Sequence, residues 1–207
     1  MASAALIVFL ASVGLLIVRN VWYSVLLLGV EGVALCGMVF LSGSANLEQF
    51  GVGAATLVIK AGIIPYAMYR VVKEWPLEYR NDRPLPWWGF VAGVVLLLSA
   101  TRVNHLLSAT GVIQNHTLFF YGLASIFLGF LQIVSRQHVL SQVGSLIAVE
   151  NALVILATSV AGQLPLFMEF GMLIDLLVAV VILAWMSRLV HRQFNTTDVT
   201  VMRFLRR

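Results

Sequence analysis

The chain has 207 residues, 60% of them hydrophobic and only 11% charged, with a mean hydropathy of +0.96. That balance excludes an ordinary water-soluble domain, which could not hide so much apolar surface, and points to a chain whose solvent is lipid. The formal charge of +4 does not signal nucleic-acid binding, because the basic residues flank apolar segments instead of forming a basic face with interleaved aromatics. A single cysteine, Cys36, excludes a disulfide framework and any iron–sulfur or zinc cluster built from cysteines of this chain.

Seven apolar stretches are long enough, at roughly 18 residues or more, to cross about 30 Å of hydrocarbon. They run approximately over 2–18, 21–42, 50–72, 87–104, 117–134, 139–161 and 165–188. The first has no basic leader and no small-residue cleavage site, so it reads as a retained helix. The fourth is expected to end where Arg102, Asn104 and His105 interrupt it. The longest polar connection, KEWPLEYRNDRPLP from Lys73 to Pro86, divides the chain after three helices. The expected units are therefore a first three-helix unit over 1–72, the linker and fourth helix over 73–116, a second three-helix unit over 117–190, and a basic tail over 191–207.

Positive charge orients these spans, since cytoplasmic loops collect Lys and Arg. One side receives Arg19, Arg70, Lys73, Arg80, Arg83, Arg136, Arg188, Arg192, Arg203, Arg206 and Arg207, and the other only Arg102. The expectation is an all-α polytopic membrane protein with its N-terminus outside and its C-terminus inside.

The two triplets share a layout. A short basic turn, Arg19-Asn20 or Arg136-Gln137, precedes a helix with a central glutamate, Glu31 in LLGVEGVAL or Glu150 in LIAVENALV. A glutamate near the outer end follows, Glu48 or Glu169, and then a helix with a central charge, Lys60 in TLVIKAGIIP or Asp175 in GMLIDLLVA. One helix separates the triplets, so they enter the membrane in the same direction, a parallel 3+1+3 repeat.

At 1.5 Å per residue, Glu31, Lys60, Glu150 and Asp175 all lie about 15–20 Å from the cytoplasmic ends of their helices. A charge at a helix centre costs roughly 2.5–3.5 kcal/mol on insertion scales, so four at one depth must be buried among helices, paired or hydrated. The simplest structural account is a Glu31–Lys60 ion pair that only fixes packing. Glu150 and Asp175 have no basic partner in their own triplet, and burial with like charge opposes their simultaneous ionisation. Groups so placed can take up and release protons, with Lys60 as a relay or electrostatic switch.

Other polar residues carry plainer expectations. His105, His116, His138 and His191 fall in loops or at helix ends without metal-ligand spacing, which implies water or headgroup surroundings. Pro65 should bend the third helix near Lys60. The glycines of GVEG and GVGAA permit close helix approach, and Trp75, Trp87 and Trp88 suit interfacial anchors. No hydrolase triad, phosphate-binding glycine loop or metal cluster is present in the pattern.

At these residues the chain resembles the hydrogenase-4 component E family, membrane subunits of complex I-like and group 4 nickel–iron hydrogenase assemblies. The C-terminal part of that family is related to the small K subunit of complex I and the C subunit of Mrp antiporters. Three segments carry the resemblance: IKAGIIPYAMY with Lys60 and Pro65, SRQHVLSQVGSLIAVENALVIL with Glu150 and Asn151, and MEFGMLIDLLVAVVILAWMSRLVHRQFNTTDV with Glu169, Gly171, Asp175, Asp198 and Val199. Ala152 stands where the family commonly has glycine. The resemblance implies that Glu150 matches the helix-two glutamate of subunit K and that Asp175 falls close to its helix-three acid, on a polar axis that carries protons.

The resemblance further implies a non-catalytic subunit in a bacterial or archaeal cytoplasmic membrane, coupling redox chemistry to proton or sodium translocation through Glu31, Lys60, Glu150 and Asp175. Its partners would be antiporter-like membrane subunits and a hydrogenase-like or complex I-like peripheral arm. The nickel–iron centre and iron–sulfur clusters would sit in those partners, with no cofactor on this chain. The alternative is a stand-alone proton-coupled carrier, since sugar-efflux carriers also use a parallel 3+1+3 layout. A purely structural scaffold is a third reading, and the absence of a lysine in the seventh apolar stretch argues against a retinal protein.

Overall fold

A computed structural model describes residues 1–41, 51, 54, 57–73, 82, 85–109, 111–161, 181 and 185. The elements among them are all helical: α1 (Ala2–Ile17), α2 (Val21–Leu41), α3, which begins as a π-helix (Leu57–Ile63) and continues as an α-helix (Ile64–Lys73), α4 (Trp87–Ser108), α5 (His116–Ser135) and α6 (Val139–Ala161). Among the described residues, four segments are long and apolar enough to cross a membrane: Val21–Met38, Trp87–Ser108, His116–Ser135 and Leu140–Ala161. Ala2–Ile17 is apolar but shorter. All of the expected span 165–188 except residues 181 and 185, Glu169 and Asp175 included, lies outside the described residues, as do Glu48, His191 and the basic tail.

Packing is closest where glycine removes the side chain from one partner. A Cβ at Gly122 of α5 would meet the backbone nitrogen of Leu156 in α6 at 2.8 Å and its Cα at 3.0 Å. One turn of α5 presents Gly122 and two turns later Gly129 faces the Val149 side chain, so α5 and α6 lie against each other along most of their length. The same device joins α2 to α3. A Cβ at Gly32 would stand 2.8 Å from the Lys60 carbonyl carbon and from the Ala61 nitrogen.

The π-helical start of α3 has a local cause. Pro65 has no N–H to give the carbonyl four residues back, and its ring crowds that turn, which favours a wider helical winding just before it. The local distortion next to Pro65 is a π-helix that ends two residues earlier, with Lys60 inside it.

Two apolar clusters divide the bundle. Toward the basic end, Leu15, Val21, Val25, Leu28, Ile64, Met68, Leu140, Val143, Ile147 and Ala148 pack together. Toward the other end, Ala4, Ala5, Val8, Ala34, Leu35, Met38, Leu118 and Ile155 do the same. Helix α4 lies at the periphery. Its buried Gly89, Gly93 and Ala100 mark the packed side, while Trp87, Phe90, Val94 and Leu98 are exposed, as suits a helix whose outer face meets lipid.

Two sequence expectations change. Helix α4 does not stop at 104 but runs to Ser108, because polar side chains satisfy themselves on their own helix: Thr101 donates to the Leu98 carbonyl at 2.7 Å and Ser108 to the His105 carbonyl at 2.6 Å. His138, expected in water or among headgroups, is only 8% exposed because it sits in the tight turn between α5 and α6. Asp82 of the polar linker is buried under the bundle, its N–H donating to the Arg19 carbonyl at 2.8 Å.

Beside Asp82, Arg136 closes the end of α1. Its Nη2 reaches the carbonyls of Leu15 and Val18 at 2.5 Å and Leu16 at 3.2 Å, satisfying groups that a helix C-terminus leaves unpaired. Burial pulls its pKa below the ordinary guanidinium value and the Asp82 carboxylate, 4.0 Å away, opposes that shift.

The α5–α6 contact makes a direct test. Gly122→Ala should destabilise the purified protein by about 1–3 kcal/mol through overpacking, whereas Gly37→Ala, which meets nothing within 4 Å, should leave thermal unfolding in detergent nearly unchanged.

Candidate functional site: a buried charge array

Between the two apolar clusters, four helices each contribute polar side chains to one layer. From α3, Lys60 extends to α6 and places its Nζ 2.6 Å from Glu150 Oε1 and 2.7 Å from Oε2. The same ammonium donates to Asn151 Oδ1 at 3.1 Å. Asn151 then donates through Nδ2 to Glu31 Oε2 of α2 at 3.0 Å, and Ser12 of α1 donates to Glu31 Oε1 at 3.0 Å. The sequence of contacts is Glu150–Lys60–Asn151–Glu31–Ser12.

Burial of these groups is nearly complete. Ser12, Glu31 and Asn151 are fully buried and Lys60 is 4% exposed, while the Glu150 side chain keeps 16% of its surface accessible. Helical periodicity explains how so polar a layer survives there. Ser12 is flanked by Val8 and Leu15, Glu31 by Leu28 and Leu35, and Asn151 by Ala148 and Ile155. Positions three and four residues away share a helix face, so each polar group has an apolar neighbour above and below it. Every charge must then be met within the layer, because an unmatched one would face hydrocarbon on both sides.

A second polar line leads away from Ser12 toward the basic end. Gln132 of α5 donates to the Ser12 carbonyl at 2.7 Å, and Arg136 follows one turn later on the same helix. A void of about 10 Å³ lies among Gln132, Arg136, Ser141 and Ser145, a volume on the order of one water.

The structure brings together three of the four residues singled out by the sequence, Glu31, Lys60 and Glu150. Asp175 lies outside the described residues. The packing-only account, a direct Glu31–Lys60 ion pair, is not the pairing formed: Lys60 bonds directly to Glu150 of the other triplet and reaches Glu31 through Asn151. The reason is reach and direction, since α3 lies where its lysine meets two consecutive residues of α6. Sequence reasoning missed Ser12 and Gln132 as members of the array and treated Asn151 only as part of a motif. The available signal was an amide or hydroxyl in the middle of an otherwise apolar stretch.

His105 and His116 are exposed and line an open cleft of about 430 Å³ with Thr101, Asn104, Ser108 and Phe120. Among the described residues, no three His, Cys, Asp or Glu side chains are grouped to hold a metal ion.

Coupling within the array is measurable. Lys60→Met and Glu150→Gln should each destabilise the protein by about 3–5 kcal/mol, because each leaves a buried partner uncompensated. The double variant should lose much less than the sum. Chemical unfolding of the purified chain in sodium-free detergent buffer would show this, and additive losses would mean that the pair is not coupled.

No protein-family model matches this chain, and no solved structure matches it. It is similar to an uncharacterized protein, Rv0085, of Mycobacterium tuberculosis (strain ATCC 25618 / H37Rv), with 26% identity over 203 residues, covering 95% of this chain and 91% of that protein.

Proposed function

We propose that this protein is a membrane-arm subunit of a complex I-like or hydrogenase-4-like assembly, in which Glu31, Lys60, Glu150 and Asp175 take part in redox-coupled translocation of protons or sodium. The observation that carries the reading is the buried ammonium of Lys60, clasped by Glu150 and joined through Asn151 to Glu31. An ion pair needed only for packing would contain two charges. Here one ammonium faces two carboxylates in apolar surroundings, and holding one proton makes the described array neutral.

The reading includes seven spans with the N-terminus outside and the C-terminus in the cytoplasm of a bacterium or archaeon, as the distribution of basic residues favours. The parallel 3+1+3 repeat belongs to the same reading, with Glu31 and Glu150 as equivalent central acids. Redox cofactors belong to partner subunits: antiporter-like membrane proteins and a hydrogenase-like or complex I-like peripheral arm. The filled apolar clusters on both sides of the array favour a subunit over a stand-alone carrier, which needs a solvent-accessible central cavity for its substrate.

Affinity purification from native membranes in mild detergent tests this directly. Antiporter-like and hydrogenase-like subunits should co-purify, and proton or sodium pumping by the reconstituted assembly should fall at least tenfold with Glu150→Gln or Asp175→Asn. A lone protein that transports on its own would overturn the reading.

A further inference from the structure

The Lys60 ammonium is met by three oxygens, one for each of its N–H donors, and they are of the kinds that also coordinate alkali cations. Both carboxylate oxygens of Glu150 lie within 2.7 Å of Nζ and the Asn151 amide oxygen lies at 3.1 Å. Glu31 Oε2 stands behind that amide, held by its nitrogen. Carboxylate and amide oxygens are the donors that hard cations prefer. The layer is closed by apolar side chains above and below, so a cation within it would be largely dehydrated, as selective sites require.

We propose that Lys60 is the ion-selectivity element of this centre: its tethered ammonium occupies an oxygen cage that would otherwise bind sodium, and so keeps alkali cations out. Two observations support the substitution of one cation for the other. The charges match, since either a sodium ion or the ammonium supplies one positive charge to Glu150 and Glu31. The geometry is also local to one atom. Methionine at this position would match the length of the lysine stem, with sulfur in place of Cδ, and end before the terminal nitrogen, leaving room for an ion at the Nζ position.

The titratable groups facing this point among the described residues come from three helices, Glu31 of α2, Lys60 of α3 and Glu150 of α6. Helix α1 offers Ser12, and α5 offers Gln132 to the Ser12 carbonyl. With the ammonium in place the exchangeable ion at this centre is the proton. The inference rests on reading the array as an ion-handling site, but its test is equilibrium binding to the purified chain and does not depend on pumping by any assembly.

The experiment compares radioactive sodium binding and thermal unfolding of the full-length protein and Lys60→Met, in sodium chloride and in choline chloride. The unsubstituted protein should bind no sodium saturably and unfold at the same temperature in both salts. Lys60→Met should bind about one sodium ion per chain and unfold roughly 5–10 °C higher when sodium is a hundredfold above its dissociation constant. Adding Glu150→Gln to Lys60→Met should abolish both effects. Saturable sodium binding by the unsubstituted protein, or no sodium effect on Lys60→Met, would overturn the proposal. If Lys60→Met cannot be purified, Lys60→Gln prepared in each salt decides: recovery in sodium alone supports the cage, and equal recovery or equal loss in both salts overturns it.

Discussion

A primary ammonium placed in the middle of an apolar bundle dictates much of what surrounds it. Burying one unit charge without compensation costs several kcal/mol, a large share of a typical domain's stability margin, so the Lys60 side chain is held there by oxygens at bonding distance. Glu150 and Asn151 supply them. That requirement draws α3 against α6, and the bare Cα of Gly32 lets α2 approach the same turn of α3. The π-helical winding before Pro65 belongs to this arrangement, since it holds Lys60 on a segment whose backbone is already displaced from regular geometry.

The array is unequal at its two ends. Glu31 is fully buried and receives one hydrogen bond on each oxygen, from Ser12 and from Asn151. Glu150 keeps part of its surface accessible and shares both oxygens with the ammonium. Glu150 is therefore the accessible member of the layer, and Asn151 bridges that side to Glu31. The polar line from Ser12 through Gln132 toward Arg136 leaves from the opposite side of Glu31. It ends where Arg136 caps α1 and Asp82 anchors the linker, so the fold ties the basic end of the bundle to the same helices that carry the central charges.

Helix α4 and the 430 Å³ cleft at its far end stand outside this scheme. The helix touches α5 and, through apolar side chains near Phe9, Val13 and Leu16, also α1. It contributes no side chain to the described array. Its role in the described fold is to cover α1 and α5, which in turn position Ser12 and Gln132.

Much of this protein was legible in the residues alone, for a definite reason. Lipid and protein interior are both apolar, so spans announce themselves by length and composition, and α1, α2, α4, α5 and α6 each fall within a few residues of the stretch expected for them. The rarity of charge in such stretches likewise marked Glu31, Lys60 and Glu150 by depth. What sequence could not supply was rotation and neighbourhood: a helix hydrophobic on every side carries no stripe to say which face points inward. Whether Lys60 would meet Glu31 or Glu150 depended on those rotations, as did the recruitment of Ser12, Asn151 and Gln132. The residues determined which groups had to be satisfied inside the membrane-like core, and only tertiary packing decided which partners satisfied them, because hydrogen bonds act over about 3 Å while sequence periodicity locates a side chain only to a helix and a depth.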